Sequence, residues 1–419
     1  MKEILQTVIR EQRQRATIKN EVERQVPAAY MRCREILVIS GVRRCGKSVL
    51  LHQIKKKQKE RDYVLNFDDE RLIDFKMEHF QELHEVFVEL FGVQKTFYFD
   101  EIQNIRGWEM FVRRLYDSGC KVFITGSNAS MLSRELGTHL TGRYVQYELF
   151  PFSFGEFLQF KRYPTLRTTG LTTVEKGKIM ALFAEYQKKG GFPVFLSDDF
   201  DEYLKYLYES VLYRDVLVRN KLVNEKEMLQ MVNYLASSIA RPFTHTSLAK
   251  VIGVKNVTTV KNYLGYVEDT YLLFQILKFD YSLKAQHINP KKVYFIDNAL
   301  AMKLGFQSSP DQGRWLENLV FIELKRRRKD VFYHWGATEC DFVIREGYKI
   351  TEAIQVCYSL SDEITKQRET AGLMDALNAY NLSEGLILTA DQESRLKKDG
   401  KNIRVMPVWK WLLQANKNL

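Results

Sequence analysis

The sequence has few cysteines and histidines and lacks the long apolar runs of membrane spans. Its seven histidines show no HExxH arrangement, and its few cysteines never stand at CxxC spacing, so no structural zinc site is predicted. No apolar run is long enough to cross a bilayer, and the N-terminus is too polar for a signal peptide. We therefore expect a reduced, cytoplasmic protein without membrane contact. The cysteines are Cys33, Cys45, Cys120, Cys340 and Cys357.

Positive charge exceeds negative charge along the chain. Lysine and arginine together number 63 against 52 aspartates and glutamates, which gives a formal net charge of +11. Such an excess suits a polyanionic partner such as nucleic acid, although an ordinary basic surface is the alternative. A chain of 419 residues is long enough for more than one domain.

Strand-like and helix-like segments alternate in the first part of the chain. Short apolar runs are separated by stretches long enough for helices, which favours a parallel sheet with helices on both faces. The predicted strands are 35–40, 62–67, 95–100, 121–126 and 144–149. From about residue 150 the pattern becomes helical, and a second alternation of strands and helices begins near residue 312.

The strongest motif is GVRRCGKS, a complete GxxxxGK[ST] between a predicted strand and a predicted helix. Its glycines let the backbone wrap tightly, so that N–H groups and the helix N-terminus face phosphate oxygens. Lys47 would reach the β- and γ-phosphates, and the Ser48 hydroxyl would ligate Mg²⁺. We therefore predict ATP and Mg²⁺ as cofactors; a glycine-rich turn without a ligand is the alternative. The predicted contacts are Gly41, Val42, Arg43, Arg44, Cys45, Gly46, Lys47, Ser48 and Val49.

A second apolar strand, TFYFDE, ends in two carboxylates. Asp100 would hold the magnesium directly or through water, and Glu101 would polarise the attacking water as general base. The alternative is a pair of acids that closes a strand at a solvent-facing turn. The predicted strand 121–126 is followed by Ser127 and Asn128, either of which could contact the γ-phosphate or the attacking water.

Arg143 lies just before the fifth predicted strand. An arginine there could act on the γ-phosphate of a neighbouring subunit, which would make a second copy of the chain a partner. The alternative is a surface salt bridge. The chain has no NKxD motif, which disfavours a GTPase, and no LSGGQ signature, which disfavours an ABC transporter ATPase.

Together these motifs resemble those of a bacterial and archaeal family of AAA+-type P-loop ATPases. The resemblance covers essentially the whole chain, through GVRRCGKSVLL, LNFDDER, FYFDEIQNIRGWE, FITGSNASMLS, LTGRY, YELFPFSFGEFL, GGFP and SVLYRDVLVR. It implies an α/β ATPase core, a winged-helix region and a C-terminal domain similar to PD-(D/E)XK nucleases, in a family without a settled biological role. It makes Lys47 and Ser48 the Walker A contacts and Asp100 with Glu101 the Walker B pair. The LNFDD segment matches a family motif whose role stays open.

The predicted fold class is thus α/β, with five successive segments. These are an N-terminal helical segment at 1–34, the P-loop ATPase core at 35–155, a helical lid or linker at 156–224, a winged-helix domain at 225–310 and a nuclease-like domain at 311–419.

Residues 246–277 are predicted to form two helices joined at Gly253. The threonines, lysine and asparagine of the second helix are typical of a recognition helix that contacts DNA phosphates and base edges. The alternative is a module that packs beside the ATPase without touching DNA. The simplest interpretation of Val251, Val254, Val257, Val260 and Leu264 is that they are core positions.

The nuclease-like resemblance rests on Glu317, Asp341 and the strand EAIQVCYSL. An active site of this class needs clustered carboxylates to hold Mg²⁺ and a lysine to assist the attacking water. Gln355 and Cys357 stand where the expected Glu-x-Lys would be, so we predict a degenerate, inactive nuclease site.

Three hypotheses follow from the sequence. The first is an AAA+ ATPase whose hydrolysis drives movement, with DNA or another nucleic acid as partner. The second is an ATP-controlled nuclease, against which the QVC strand argues. The third is a nucleotide-gated switch that controls a protein contact.

Overall fold

The computed structural model describes residues 1–14, 22–24, 26–127, 137, 140–164, 168–198, 200, 202–222, 224–306 and 311–414. These residues form two compact units. The first comprises Met1–Phe150 together with the short segment Asp269–Tyr271, and the second comprises Pro151–Glu268 and the chain from Leu272 onward. The five segment boundaries given above stay predictions.

The first unit is built on a parallel sheet whose described strands run in the order β2-β3-β4-β1-β5. The interior strand β1 is buried along its whole length, as its largely apolar sequence ILVIS requires. The strands are β1 (Ile36–Ser40), β2 (Tyr63–Asn66), β3 (Thr96–Asp100), β4 (Lys121–Gly126) and β5 (Tyr144–Glu148). The predicted parallel α/β core is therefore confirmed.

Helices flank this sheet. They are α1 (Lys2–Gln14), α2 (Ala28–Arg32), α3 (Lys47–Lys56), α4 (Phe80–Phe91) and α5 (Trp108–Asp117), with 3-10 turns at Glu70–Leu72, Met77–His79 and Ile102–Asn104. Leu5, Val8 and Ile9 of α1 enter the same core as the strands, as do the aromatic rings of α4 and α5. Burial of large apolar side chains is the main stabilising term for such a unit.

The strand register brings three loop segments to one edge of the sheet. Ser40 is paired with Gly126, and Asn66 is paired with Asp100, so the carboxyl ends of β1, β3 and β4 lie side by side. In open α/β sheets, ligands bind outside the carboxyl ends of the strands. The P-loop, the acidic pair and the segment after β4 all leave the sheet at this edge.

The second unit begins with helices and continues into two sheets. Its described helices are α6 (Phe154–Phe160), α7 (Thr173–Lys189), α8 (Pro193–Asp198), α9 (Tyr203–Ser210), a π-helical segment (Val211–Val218), α10 (Glu225–Ser237), α11 (His245–Val251), α12 (Val257–Glu268), α13 (Leu283–Ile288), α14 (Asn298–Leu304), α15 (Gln312–Arg326), α16 (Glu363–Ala379) and α17 (Val408–Gln414). No helix in the described part of the chain is long and apolar enough to cross a membrane.

A two-stranded antiparallel sheet follows α12, formed by β6 (Leu273–Leu277) and β7 (Lys291–Phe295). The prediction that residues 246–277 form only two helices is therefore wrong at its C-terminal end. The second helix stops at Glu268, and Tyr271 adopts a left-handed backbone with φ of 62° that a helix cannot continue through. The apolar run LLFQIL beyond it has the β-branched and aromatic content of a strand.

The C-terminal sheet runs in the order β12-β13-β11-β10-β9-β8. Strand β11 is parallel to both of its neighbours, whereas the remaining pairs are antiparallel. The strands are β8 (Asp330–Trp335), β9 (Glu339–Glu346), β10 (Lys349–Val356), β11 (Glu384–Thr389), β12 (Ser394–Lys398) and β13 (Lys401–Pro407). The amphipathic segment predicted near residue 312 is helix α15.

Candidate nucleotide site and C-terminal cleft

The P-loop backbone takes left-handed conformations that favour glycine. The φ angles are 148° at Gly41 and 104° at Gly46, with Arg44 at 66° between them. A Cβ atom on Gly41 would lie 2.1 Å from the carbonyl oxygen of Leu149, so only glycine fits there. Backbone turns of this kind form anion-binding concavities. The loop therefore has the shape that a phosphate site needs.

Lys47 is the first residue of α3, and its side chain is buried. Its Nζ donates hydrogen bonds to the carbonyl oxygens of Gly41 at 3.1 Å and Val42 at 3.2 Å. The same Nζ lies 3.9 Å from Oε1 of Glu101. The lysine thus folds back over its own loop, beside the acidic residue expected to act as base.

The two acidic residues are oriented by Thr125, on the neighbouring strand β4. The Thr125 hydroxyl donates a hydrogen bond to Asp100 and accepts one from the Glu101 backbone N–H at 3.0 Å. Burial raises the pKa of Asp100 and the nearby Glu101 adds to the rise, whereas hydrogen bonds from Thr125 and Ser48 oppose it. The sequence analysis did not assign a role to Thr125, whose polarity inside a buried strand was the available signal.

Ser48 and Asp100 have the chemistry of a magnesium site. The Ser48 side chain hydrogen-bonds the Asp100 carboxylate, and Ser48 is exposed whereas Asp100 is buried. Hydroxyl and carboxylate oxygens are the hard ligands that Mg²⁺ prefers. A hydroxyl and a carboxylate already in contact at the foot of a phosphate-binding loop fit that ion.

Ser127 belongs to the same group of polar residues as Asp100 and Glu101. The Ser127 hydroxyl donates to Oε2 of Glu101 at 3.3 Å, and the Gln103 amide contacts the same oxygen. Asn128 lies outside the described residues. Of the two polar positions that the sequence left open, Ser127 is the one with a visible contact to the acidic pair.

The remaining P-loop residues differ in how deeply they are buried. Val42 and Cys45 are buried, Arg44 is exposed, and Arg43 and Val49 are intermediate. Burial raises the pKa of the Cys45 thiol. A protonated, buried thiol is inert, so Cys45 contributes packing rather than reactivity.

Arg24 supports the P-loop from the N-terminal segment. Its guanidinium donates hydrogen bonds to the carbonyl oxygens of Cys45 at 3.0 Å and Phe150 at 2.6 Å. Its backbone N–H donates to Oε1 of Gln53 in α3 at 3.0 Å. The sequence analysis missed Arg24, because nothing in its local sequence indicates that it lies against the P-loop.

Arg143 lies apart from the rest of the predicted site. It immediately precedes β5, whose first residue Tyr144 is paired with Ile36 at the start of β1. The P-loop begins at the other end of β1, roughly 20 Å further along the strand direction. The Nε of Arg143 forms an ion pair with Asp117 at 3.1 Å. Within its own chain, Arg143 therefore does not join the P-loop residues.

The four residues of the predicted nuclease-like site meet at a cleft in the second unit. The cleft has a volume of about 900 Å³, and Glu317, Asp341, Gln355 and Cys357 are all among its lining residues. The Asp341 backbone N–H donates to Oε1 of Gln355 at 3.2 Å, and the Gln355 amide donates to Glu369 at 2.6 Å.

Two side chains that line this cleft, Glu317 and Cys357, have pKa values above their ordinary values. Burial and the charge of Asp341 raise the pKa of Glu317 above its ordinary value, and the ammonium of Lys292 opposes this rise. Burial raises the pKa of the Cys357 thiol to about 12, so this cysteine is uncharged at neutral pH. A thiol carries no positive charge in either protonation state, so Cys357 cannot supply the charge of the lysine that was expected there.

Comparison with known proteins bears on both units. A family model described as an AAA domain matches residues 33–158, and one described as a domain of unknown function matches residues 180–311. The chain is 36% identical over 399 residues to the uncharacterized protein MJ1544 of Methanocaldococcus jannaschii, across 90% of this chain and 88% of that protein. This chain belongs to the same protein family.

A bacterial protein extends the comparison. An uncharacterized protein of Haemophilus influenzae is 30% identical over 401 residues, which cover 90% of this chain and 94% of that protein. The AAA match contains the P-loop, the acidic pair and Ser127. Residues 33–158 of this family member accordingly belong to an AAA-type P-loop ATPase domain.

Solved structures resemble the chain only distantly. The replication initiator DnaA bound to AMPPCP and single-stranded DNA is 14% identical, over 64% of this chain and 86% of that chain, with a TM-score of 0.27. The Thermotoga maritima RuvB Holliday junction branch migration motor is 15% identical, over 65% of this chain and 87% of that chain, with a TM-score of 0.28.

Proposed function

We propose that the protein is a Mg²⁺-dependent ATPase of the AAA+ type, which couples ATP binding and hydrolysis to a conformational change and acts on or with nucleic acid. One observation carries this proposal. Lys47, Asp100, Glu101 and Ser127 follow or end three different strands, yet they meet at the carboxyl edge of one sheet.

Each of these residues has a distinct role in the proposal. Lys47 leaves the carbonyl oxygens of its loop and donates to the β- and γ-phosphates, while Ser48 and Asp100 hold the metal ion. Mg²⁺, when bound, withdraws charge from the phosphates. Glu101 accepts a proton from the attacking water, and Ser127 or Asn128 contacts the γ-phosphate.

Arg143 enters the proposal only through a second copy of the chain. Its distance from the P-loop of its own chain leaves two roles, the surface ion pair with Asp117 or contact with the γ-phosphate of a neighbouring subunit. We propose the second role, with a homo-oligomer as the active form.

Helices α11 and α12 with strands β6 and β7 support a winged-helix region. Thr258, Lys261 and Asn262 are exposed on one face of α12, at helical spacing i, i+3 and i+4. Val260 and Leu264 are buried on the other face, whereas Val251 is half exposed and does not act as a core residue. The exposed polar face is the surface that we propose for DNA contact.

The six-stranded C-terminal sheet is, in our proposal, a nuclease-like domain without activity. Glu317 and Asp341 lie at its cleft, but Gln355 has no charge and Cys357 cannot replace a catalytic lysine. Incubation of the protein with supercoiled plasmid and Mg²⁺ or Mn²⁺ should give no nicking; metal-dependent nicking would contradict this part.

ATP turnover with and without single-stranded or double-stranded DNA tests the proposed function. We expect turnover that DNA accelerates, and Lys47→Ala should weaken ATP binding by at least about tenfold, because a charged hydrogen-bond donor to the phosphates is lost. Lys57→Ala is the matched control, since Lys57 follows the same helix and forms an exposed ion pair with Glu23.

The outcomes separate the parts of this proposal. Unchanged ATP affinity in Lys47→Ala would remove the P-loop assignment. Turnover that neither form of DNA affects would contradict the nucleic-acid part and favour a nucleotide-gated switch of a protein contact.

A further inference from the structure

A lysine side chain lies inside the carboxylate cluster of the C-terminal cleft. Lys292, on β7, places its Nζ 3.0 Å from Oε1 of Glu317 and 3.3 Å from Oδ1 of Asp341. The same Nζ forms an ion pair with Glu339. The lysine side chain is only 1% exposed, so solvent and salt screen these contacts far less than those of a surface ion pair.

The surroundings of Lys292 stabilise a buried charge. Burial by itself lowers the pKa of Lys292, but neighbouring acidic groups, with Glu317 foremost, raise it well above its ordinary value. The Tyr294 hydroxyl donates to Oε1 of Glu317 at 2.6 Å, and the Val356 N–H donates to Oδ2 of Asp341 at 2.9 Å. Buried ions are tolerated when they are paired and hydrogen-bonded in this way.

The ammonium occupies the point at which the carboxylates converge. Glu317 comes from α15 and Asp341 from β9, and both direct an oxygen at the same Nζ. The distances are those of a hydrogen-bonded ammonium, whereas Mg²⁺ takes oxygen ligands at about 2.1 Å. Within the part of the chain that the structure describes, no group of three or more His, Cys, Asp or Glu side chains is arranged to hold a metal ion.

We propose that Lys292 is the resident cation of this cleft: its ammonium takes the place of a divalent metal between Glu317 and Asp341 and keeps the site free of metal. This inference goes beyond the ATPase proposal and does not depend on it. Removal of the ammonium should convert the cluster into a site for a hard divalent cation, because carboxylate oxygens are the ligands such ions prefer.

The charge of the residues that line the cleft bears on whether the cleft can bind nucleic acid. The described acidic residues that line it outnumber the basic ones, and Lys292 is already paired with three of the acids. A phosphate backbone is not attracted to such a lining. Nucleic acid contact should therefore come from another surface, such as the exposed face of α12.

The chain offers a matched control for Lys292 in the preceding residue. Lys291 also belongs to β7, but its Nζ donates to the carbonyl oxygens of His287 at 2.9 Å and Asn289 at 3.2 Å. The structure gives it no carboxylate partner among the described residues. Lys291→Met removes an amine from the same strand without emptying the cluster.

Manganese binding to the full chain, without nucleotide, tests the inference by electron paramagnetic resonance and calorimetry. We expect no Asp341-dependent site in the wild type or in Lys291→Met. In Lys292→Met we expect Glu317, Asp341 and Glu339 to move closer together and bind about one Mn²⁺ per chain, in an arrangement that they do not have around the ammonium. Adding Asp341→Asn to Lys292→Met should abolish that binding.

Two results would overturn the inference. One is a folded Lys292→Met protein that binds no Mn²⁺, or binds it equally well with Asp341→Asn. The other is a wild-type protein that binds Mn²⁺ in an Asp341-dependent manner. If Lys292→Met does not fold, Lys292→Met with Glu339→Gln has one fewer unpaired carboxylate and should still bind the ion; a folded double variant without binding contradicts the inference.

Discussion

At the scale of single residues, the candidate nucleotide site depends on side chains that position other side chains. Thr125 holds both Asp100 and the Glu101 backbone, and Glu101 itself adopts a left-handed conformation with φ of 52°. Such a conformation is uncommon outside glycine and occurs where the surrounding structure fixes it. Here the fixed backbone directs the Glu101 carboxylate towards Lys47 and Ser127.

A second residue-scale arrangement explains the GGFP motif. A Cβ on Gly190 would lie 2.1 Å from Oδ1 of Asp297, and a Cβ on Gly191 would lie 2.3 Å from the carbonyl oxygen of Phe152. The Gly191 N–H donates to the Asp297 carboxylate at 2.7 Å. The two glycines thus allow close packing around a buried acid, and a role in chemistry is not needed to account for them.

The titration of Asp297 gives a testable pH dependence. Burial raises the pKa of Asp297 to about 6, above the value of about 3.9 in an unfolded chain. The folded state therefore binds the proton more tightly, and stability falls as pH rises from about 4 to about 6. Asp297→Asn should remove this component.

Urea unfolding of the wild type and the variant at pH 4 and pH 8 measures the effect. The difference in the free energy of unfolding between the two proteins should change by at most about 3 kcal/mol over this range, in favour of the variant at high pH. A difference that does not change with pH contradicts the assignment.

Some site residues could be predicted from sequence and others could not. Lys47, Ser48, Asp100 and Glu101 stand within motifs whose spacing along the chain itself carries the chemistry. Arg24, Thr125 and Lys292 reach their sites from segments distant in sequence, through strand pairing and side-chain length. A single sequence does not show which distant segments meet, although the polarity of Thr125 within an apolar strand was a signal of a role.

At the scale of elements, residues of the LNFDD segment form hydrogen bonds that link helix α1 to strand β2. Gln12 of α1 accepts from the Asn66 N–H at 2.8 Å and donates to Asp69 at 3.2 Å. Arg71 forms hydrogen bonds with both Asp69 and Glu11, and its contact lowers the pKa of Asp69 to about 2. The motif whose role the sequence left open therefore has a structural explanation.

The strands of the first sheet were predicted more accurately than the second helix of residues 246–277. The described strands of the first sheet begin and end within one residue of their predicted bounds, because most of them are short apolar runs between polar segments. The helix predicted to extend to residue 277 is shorter and gives way to β6. The same apolar run suits a buried helix or a strand, and Tyr271 with its left-handed backbone decides between them.

The segment Asp269–Tyr271 belongs to the first unit although its neighbours in sequence belong to the second. The Tyr271 hydroxyl donates to the Ser40 hydroxyl at 2.9 Å and accepts from Gln146 at 3.1 Å. Ser40 is the last residue of β1, directly before the P-loop. This contact lies within the first unit, beside the start of the P-loop.

Tyr271→Phe should lower the stability of the first unit by about 1–2 kcal/mol, because a buried hydrogen bond is lost while Gln146 still donates to Ser40. Thermal unfolding and ATP affinity measure the effect. Tyr348→Phe is the control, since Tyr348 is exposed. Equal unfolding temperatures for the two variants would show that the contact carries no stability.

At the scale of the whole molecule, the chain contains an AAA-type ATPase domain and a second unit, for which we propose the tasks given above. The chemistry of the first unit follows from residues that the described structure brings together. The partner of the second unit does not follow from the sequence, because a basic overall charge and one polar helix face suit several partners.

The role of Arg143 depends on whether several copies of the chain assemble. An arginine that does not reach the P-loop of its own chain requires an assembly to act on ATP. Neither the charge nor the spacing of the sequence specifies such an assembly, which is why the sequence analysis left Arg143 with two interpretations.

The central claim is that Glu101 activates water beside a nucleotide held by Lys47. Glu101→Gln keeps the size and polarity of the side chain but removes the base, so ATP binding should stay unchanged while turnover falls by about 10²-fold or more. Glu78→Gln, at an exposed position in the same unit, should turn over at the wild-type rate. Full turnover by Glu101→Gln would contradict the account.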